Sequence, residues 1–343
     1  MQSGPGTLAL SGVNTYTAGT LITNGSMLTL VGSGSLGSGS YAGNIANYGT
    51  FNYASSAAQT LSGVISGTGA LTESGPGTLN LTGANTYTGG TLITNGSTLV
   101  LGSGGSINTT ASISIAAGAT FDVSAYASYT LLSGVPLSAS GTGTVVGSTA
   151  ATIKGAASGG ATVTLASPIA LTFKPQAFNG DATHPSLFIS QISSGQLVLS
   201  GSSITVNNAG TSPLGTGTYS LIQVAAGGTI SLGTPTVTVT GNGLAPSATA
   251  SISVSGESVN LVVSTGASIP AINSVTLSGT DLIFSGANGP DNHTYYVLAS
   301  TNVALPLAQW TSIATNTFSP TGTFSVTNAN GVIPRRFFII QVP

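Results

Sequence analysis

Along most of this chain, apolar and polar residues alternate with period two for a few positions and then stop at a turn. Thr78-Leu79-Asn80-Leu81-Thr82 is one such run, Thr91-Leu92-Ile93-Thr94 the next, and Thr98-Leu99-Val100-Leu101 a third. Gly83-Ala84-Asn85, Asn95-Gly96 and Gly102-Ser103-Gly104-Gly105 separate and close them. Alternation sends successive side chains to opposite faces of an extended backbone, so these runs predict half-buried β-strands. Leu79 and Leu99 then point into a core and Asn80 away from it. No segment sustains apolar spacing of three and four, which predicts almost no helix.

The pattern is duplicated. Residues 3–30 read SGPGTLALSGVNTYTAGTLITNGSMLTL and residues 74–101 read SGPGTLNLTGANTYTGGTLITNGSTLVL, 22 of 28 positions being identical at an offset of 71. Repeated short strands suit a solenoid, where each strand pairs with its equivalent one coil later, better than hairpins. Coils of about 24 residues would place three coils in that offset. The Asn residues at the matched turns Asn14/Asn85 and Asn24/Asn95 are candidates for stacked ladders if they lie on adjacent coils; with three coils in the offset, local turn chemistry and positive φ are the favoured reading.

Residues 106–266 keep this texture without a close repeat, with strands expected at Ser112–Ile115, Ala161–Leu165, Gly195–Leu199, Ser203–Val206, Pro235–Thr240 and Ser258–Val263. The Lys174–Pro185 stretch is expected to protrude as a loop. Composition shifts after Gly266, and six further strands are expected at Ser274–Leu277, Asp281–Ser285, Thr294–Ser300, Trp310–Ala314, Gly322–Thr327 and Phe337–Val342. The expected fold is all-β: a parallel β-helix over 1–266, then a small antiparallel β-sandwich over 270–343 with Trp310 near its core. The sandwich is expected to cover the unpaired edge of the last coil.

Charge is scarce. Four Lys and Arg and six Asp and Glu make 3% of the chain, against roughly 25% in an average soluble protein. That argues against a nucleic-acid face, which needs clustered cations, and against an electrostatic membrane patch. Disordered chains are poor in apolar residues, whereas here 41% are apolar and the net charge is −2, so order is expected. There is no cysteine, hence no disulfide framework and no thiolate metal site. No apolar run approaches the ~18 residues of a spanning helix, so no membrane insertion is expected. No signal-peptide pattern follows Met1.

The motif SGxGTLxLxGxNTYTGGTxIxNGxxLxL, as it stands in residues 74–101, resembles the autotransporter-associated β-strand repeat of bacterial passenger-type surface proteins. Ser128-Tyr129-Thr130-Leu131-Leu132 and Thr218-Tyr219-Ser220-Leu221-Ile222 resemble coils of such passengers more weakly. The resemblance implies a right-handed parallel β-helix, export, and an extracellular or cell-surface location. The chain lacks the series of ~10-residue alternating segments of an outer-membrane barrel, so another export route is expected.

Catalytic chemistry has little to build on. Glycan cleavage needs two carboxylates within about 5–10 Å, and Glu73, Asp122, Asp181, Glu257, Asp281 and Asp291 are scattered in sequence. Asp181-Ala182-Thr183-His184 and Asp291-Asn292-His293 are the best acid–base or metal candidates, yet each offers two ligands where a stable zinc site takes three or four. No enzymatic activity, cofactor or metal is expected, and alanine at Asp181, His184 or His293 is expected to be nearly neutral.

Two functional readings remain. The first is a structural protein that self-assembles into a surface fibre. Met1-Gln2 aligns with Thr72-Glu73, so the chain opens within a repeat, and no charge lies between Met1 and Ala70. An uncapped, uncharged coil edge is expected to stack head-to-tail on another copy, through Leu8, Leu10, Leu21 and Ile22 of the leading strands. The second is a monomeric adhesin or binding module for cell-surface polysaccharide, or for ice. Its candidates are Tyr16, Tyr87 and the Thr-x-Thr pairs Thr15/Thr17, Thr86/Thr88, Thr162/Thr164 and Thr236/Thr238/Thr240.

Overall fold

The computed structural model describes residues 4–342 except 95, 142–149, 193, 202, 247, 266–268, 291 and 330–335. The chain divides into two compact units, Met1–Ser264 and Thr265–Pro343. Both are all-β, and among the described residues the only helical elements are two short 3-10 turns.

In the first unit the alternating runs become strands that visit different sheets in turn. Ten of them, from Gly6–Leu10 to Thr236–Gly241, form one sheet in which every neighbouring pair is parallel. A second ten-stranded sheet begins at Ser40–Tyr41 and runs in parallel as far as Gly217–Val224. Shorter parallel groups lie between them in chain order: Thr20–Ile22, Ile45–Asn47 and Ile65–Ser66, and later Ser128–Leu131, Thr162–Leu165, Gln196–Leu199 and Thr229–Leu232. Each strand therefore pairs with the strand reached after the chain has passed through the other sheets. That is how successive coils pair, unlike a hairpin, in which strands adjacent in sequence pair antiparallel.

Register follows the alternation. Leu28, Phe51 and Leu71 occupy successive rungs of the first sheet, as do Leu30, Tyr53, Glu73, Ile93 and Ile115. All are buried, and apart from Glu73 they belong to one continuous apolar core. A fully buried side chain of this size contributes about 1.5–3 kcal/mol, so an in-register stack of them fixes which face of each strand turns inward.

Coil length departs from expectation. Thr7 pairs with Met27, Met27 with Thr50 and Thr50 with Ala70, so the early coils take 20 to 23 residues and three of them reach only Ala70. The rest of the 71-residue offset carries the chain onward to the next sheet. Thr7–Leu10 accordingly lies in the first sheet and its duplicate Thr78–Leu81 in the second. What the duplication preserves is a single coil: Leu8 and Leu10 pair with Leu28 and Leu30, and Leu79 and Leu81 pair with Leu99 and Leu101. Later coils lengthen, Ile169 pairing with Ile204 and Ser203 with Thr236.

One further expectation needs correction. The Lys174–Pro185 segment does not stand free. Asp181 bridges in parallel to Tyr219, the Tyr219 hydroxyl donates to Phe178 O and Gly215 O, and Phe178 packs against the core. The late end of the second sheet is finished within the first unit: Ser258–Thr265 pairs antiparallel with Gly217–Val224 and itself neighbours Ala248–Ser255.

The second unit has two antiparallel three-stranded sheets. Ala271–Ser278, Asp281–Ala287 and Phe324–Ala329 form one, and Thr311–Thr317, Thr294–Ser300 and Phe337–Gln341 the other. Phe284, Phe324 and Val326 from the first sheet, Tyr295 and Val297 from the second, and Phe318 share one core. Tyr295 lies 4.4 Å from Phe318 and 5.6 Å from Phe324, centroid to centroid. Trp310 is not part of that core; its indole N–H donates to Leu305 O on the surface. Phe and Tyr on facing strands fill the space, so the lone Trp was a misleading cue.

Candidate assembly edge and polar clusters

The four candidate assembly residues lie on two edge strands. Leu8 and Leu10 belong to Gly6–Leu10, which ends the first sheet, and Leu21 and Ile22 to Thr20–Ile22, which ends a three-stranded group. Leu8 is 38% exposed, Leu10 and Leu21 are half-buried, and Ile22 is fully buried. Ile22 thus offers a neighbour no side chain. A cavity of about 230 Å³ opens at this end, lined by Leu8, Leu10, Asn14, Tyr16, Gly19, Thr20 and Leu28.

The duplicate gives an internal control. Leu79, Leu81 and Tyr87 match Leu8, Leu10 and Tyr16, and all three are 0% exposed, whereas Tyr16 is 38% exposed. Ala58–Leu61 pairs alongside Thr78–Leu81 and covers it; among the described residues Gly6–Leu10 is the last strand of its sheet. Several local contacts recur in both copies. Tyr16 and Thr20 hydroxyls lie 3.1 Å apart, and those of Tyr87 and Thr91 2.7 Å apart. Asn14 donates to Gly12 O and Ser35 O, and Asn85 to Gly83 O and Ser106 O. These Asn residues tie one coil to the next rather than stacking on each other, a role that the sequence did not disclose.

Among the carboxylates, Asp122 and Lys154 face each other on adjacent rungs at 2.8 Å. Burial acts to raise the Asp122 pKa, but the Lys154 and Ser124 hydrogen bonds outweigh it and hold the group below its ordinary value. Asp181 accepts hydrogen bonds from the backbone N–H of Gln176 at 2.7 Å and of Thr183 at 3.1 Å, and lies 2.7 Å from His184 Nδ1. Here too burial is outweighed, by Gln176, His184 and Thr183, and the carboxyl is held low. The geometry is that of a loop staple. Glu257 sits apart, its Oε1 accepting from the Gly227 N–H. Asp291 lies outside the described residues. Among the described residues no group of three or more His, Cys, Asp or Glu comes together.

The Thr-x-Thr pairs do not form one array. Thr15/Thr17 and Thr86/Thr88 fall outside strands, and Thr162/Thr164 pair with Ser128/Thr130 on one side and Gln196/Val198 on the other. A threonine column does occur where the sequence gave no cue, through Thr78, Thr98, Thr120 and Thr152 on successive coils.

Residues 2–28 and 71–101, the two coils just compared, match the passenger-associated-transport-repeat family. The chain carries two passenger-type repeats. Such repeats mark autotransporter passenger domains, which are secreted or displayed at the cell surface. No curated protein and no solved structure matches the chain. Each match spans most of one self-pairing coil: 2–28 takes in Gly6–Leu10 and the start of Ser26–Gly32, and 71–101 takes in Thr78–Leu81 and Thr98–Leu101.

Proposed function

We propose that this chain is a structural, non-enzymatic part of a secreted or surface protein. In this reading the first unit is a right-handed parallel β-helix, the second a small β-sandwich, and copies join head-to-tail into a surface fibre. The observation that supports self-association is the unequal burial of duplicated residues: Leu8 and Tyr16 are exposed where Leu79 and Tyr87 are sealed. The opposite edge of the same sheet is Thr236–Gly241, parallel to Gly6–Leu10, with Val237 and Val239 packed on the core side. A parallel sheet has unlike edges, and pairing one edge with the other is a heterologous contact that propagates. Neither strand carries a charge, which leaves out the usual protection against edge pairing. Sedimentation velocity of the purified chain tests this: a concentration-dependent series of oligomers is expected, and a single monomeric species across the range contradicts it.

A second reading, polysaccharide binding, draws on Tyr48, 48% exposed beside Asn24, Ser26, Thr50 and Thr68 in a shallow uncharged cleft. An exposed ring flanked by hydroxyl and amide groups suits a sugar face. Loss of polysaccharide retention on Tyr48→Ala would support it, and unchanged retention would remove it.

A further inference from the structure

The first unit buries one ionisable group that none of the features above uses. Glu73 is fully buried, and neither of its carboxyl oxygens has a hydrogen-bond partner. It occupies a rung between Tyr53 and Ile93 in a column of inward-facing side chains. Ser97 lies close, but its hydroxyl donates to the Glu73 backbone carbonyl and not to the side chain. The next strand on the same coil, Thr78–Leu81, buries Leu79 and Leu81 in the same core. No other Asp, Glu, Lys, Arg or His occurs anywhere in residues 1–121, so no charge is available to compensate an ionised carboxylate. Tyr53 is the titratable group set against it: burial raises its phenol, the Ser55 hydrogen bond lowers it, and Glu73 adds to the rise.

An unpaired carboxylate in such a place is strongly disfavoured, whereas a neutral acid is tolerated. The duplication bears on this independently. The position matching Glu73 in the first copy is Gln2, a neutral side chain of the same shape, so the second copy has a titratable group where the first has none.

We propose that Glu73 is a proton-dependent lock on the coils between Thr50 and Ile93: as the neutral acid it completes the column, and on losing its proton it opens them. The affected strands, Thr50–Ser55, Ala70–Glu73 and Thr91–Ile93, are consecutive rungs of the first sheet, so opening there interrupts the ladder on both sides. The structure is thereby strengthened in acid surroundings and weakened in alkaline ones.

Burial pushes the Glu73 carboxyl up from its ordinary 4.5 to about 9; the neighbouring Gly75 N–H, which opposes the rise, is already donated to Tyr53 O. Below about pH 4.5 the folded and unfolded chains both keep the proton. Above it the unfolded chain releases the proton and the folded chain does not, so stability falls as pH rises. The loss continues to about pH 9, where the folded form also titrates. Within that window the folding equilibrium constant changes by about tenfold per pH unit from this group alone.

The test compares intact wild type, Glu73→Gln and Glu73→Leu by urea unfolding at pH 5, 7 and 9, with amide exchange mapped by peptide. Wild type is expected to lose folding equilibrium steeply with pH, both variants to lose that dependence, and wild-type peptides within 50–101 to open first at pH 9. Slopes rather than absolute stabilities are compared, so a fixed loss in either variant leaves the comparison intact. Variants that keep the wild-type slope, or a wild type that is flat from pH 5 to 9, would overturn the proposal.

Discussion

Leu79 shows how much one residue's direction decides. It is fully buried and stands in register with Leu99 on the next coil and Gln59 on the previous one. Leu79→Asp is therefore expected to destabilise the first unit by more than about 4 kcal/mol. Thr98→Asp, on the outward side of the neighbouring strand, should stay within about 1 kcal/mol; urea midpoints measure both. Asn80 is a poorer neutral control than its outward place suggests, because its Oδ1 is buried without a partner. Asp181→Ala should cost about 1–3 kcal/mol by leaving buried donors unsatisfied, more than a surface-loop reading allows, and His184→Ala less. Because the Asp181 pKa is lowered, its contribution is present above the ordinary carboxylate range and fades as pH falls through its depressed value. A urea midpoint that drops below about pH 3.8 for wild type, where Glu73 keeps its proton in both the folded and the unfolded chain, and less so for Asp181→Ala, checks the sign. The direction of Leu79 was legible because alternation is a local property. The role of Asp181 was not, since its position depends on the bridge to Tyr219, well over thirty residues away in sequence.

At the scale of the element, the unit that matters is the coil, and its turns are as constrained as its strands. A methyl group added at Gly105 would meet Leu81 O at 2.1 Å, and one at the duplicate Gly34 would meet Leu10 O at the same distance. In both copies the turn lies directly on the backbone of the coil before it. Gly105→Ala is expected to cost about 2 kcal/mol or more through backbone displacement, visible as a lower thermal midpoint. A neutral result would mean that the turn can shift at no penalty. Strand positions were readable to within a few residues, in the second unit as much as the first, because turn residues bracket them. Coil phase was not readable. A 71-residue sequence period suggested a whole number of coils, but sequence identity is kept wherever a coil is self-consistent, whichever sheet it joins. For the same reason Trp310 misled: composition identifies a bulky side chain, while pairing decides whether anything faces it.

For the molecule as a whole, the account rests on the two unlike edges of the ten-stranded parallel sheet. Gly6–Leu10 ends it on one side and Thr236–Gly241 on the other, and the alternation of Leu8 and Leu10 matches that of Val237 and Val239. Ten rungs at about 4.8 Å give the first unit an advance of roughly 48 Å along the ladder, which sets the axial repeat of a head-to-tail fibre whose ladder runs on without a gap. Leu8→Lys with Leu10→Lys places two charges on the leading strand without touching the sealed duplicate at Leu79 and Leu81. Electron microscopy of the purified wild-type chain beside this double variant is the most direct test. Fibres with an axial repeat near that spacing for wild type, and separate particles for the double variant, are the expected result; wild-type particles that remain single at high concentration would contradict it.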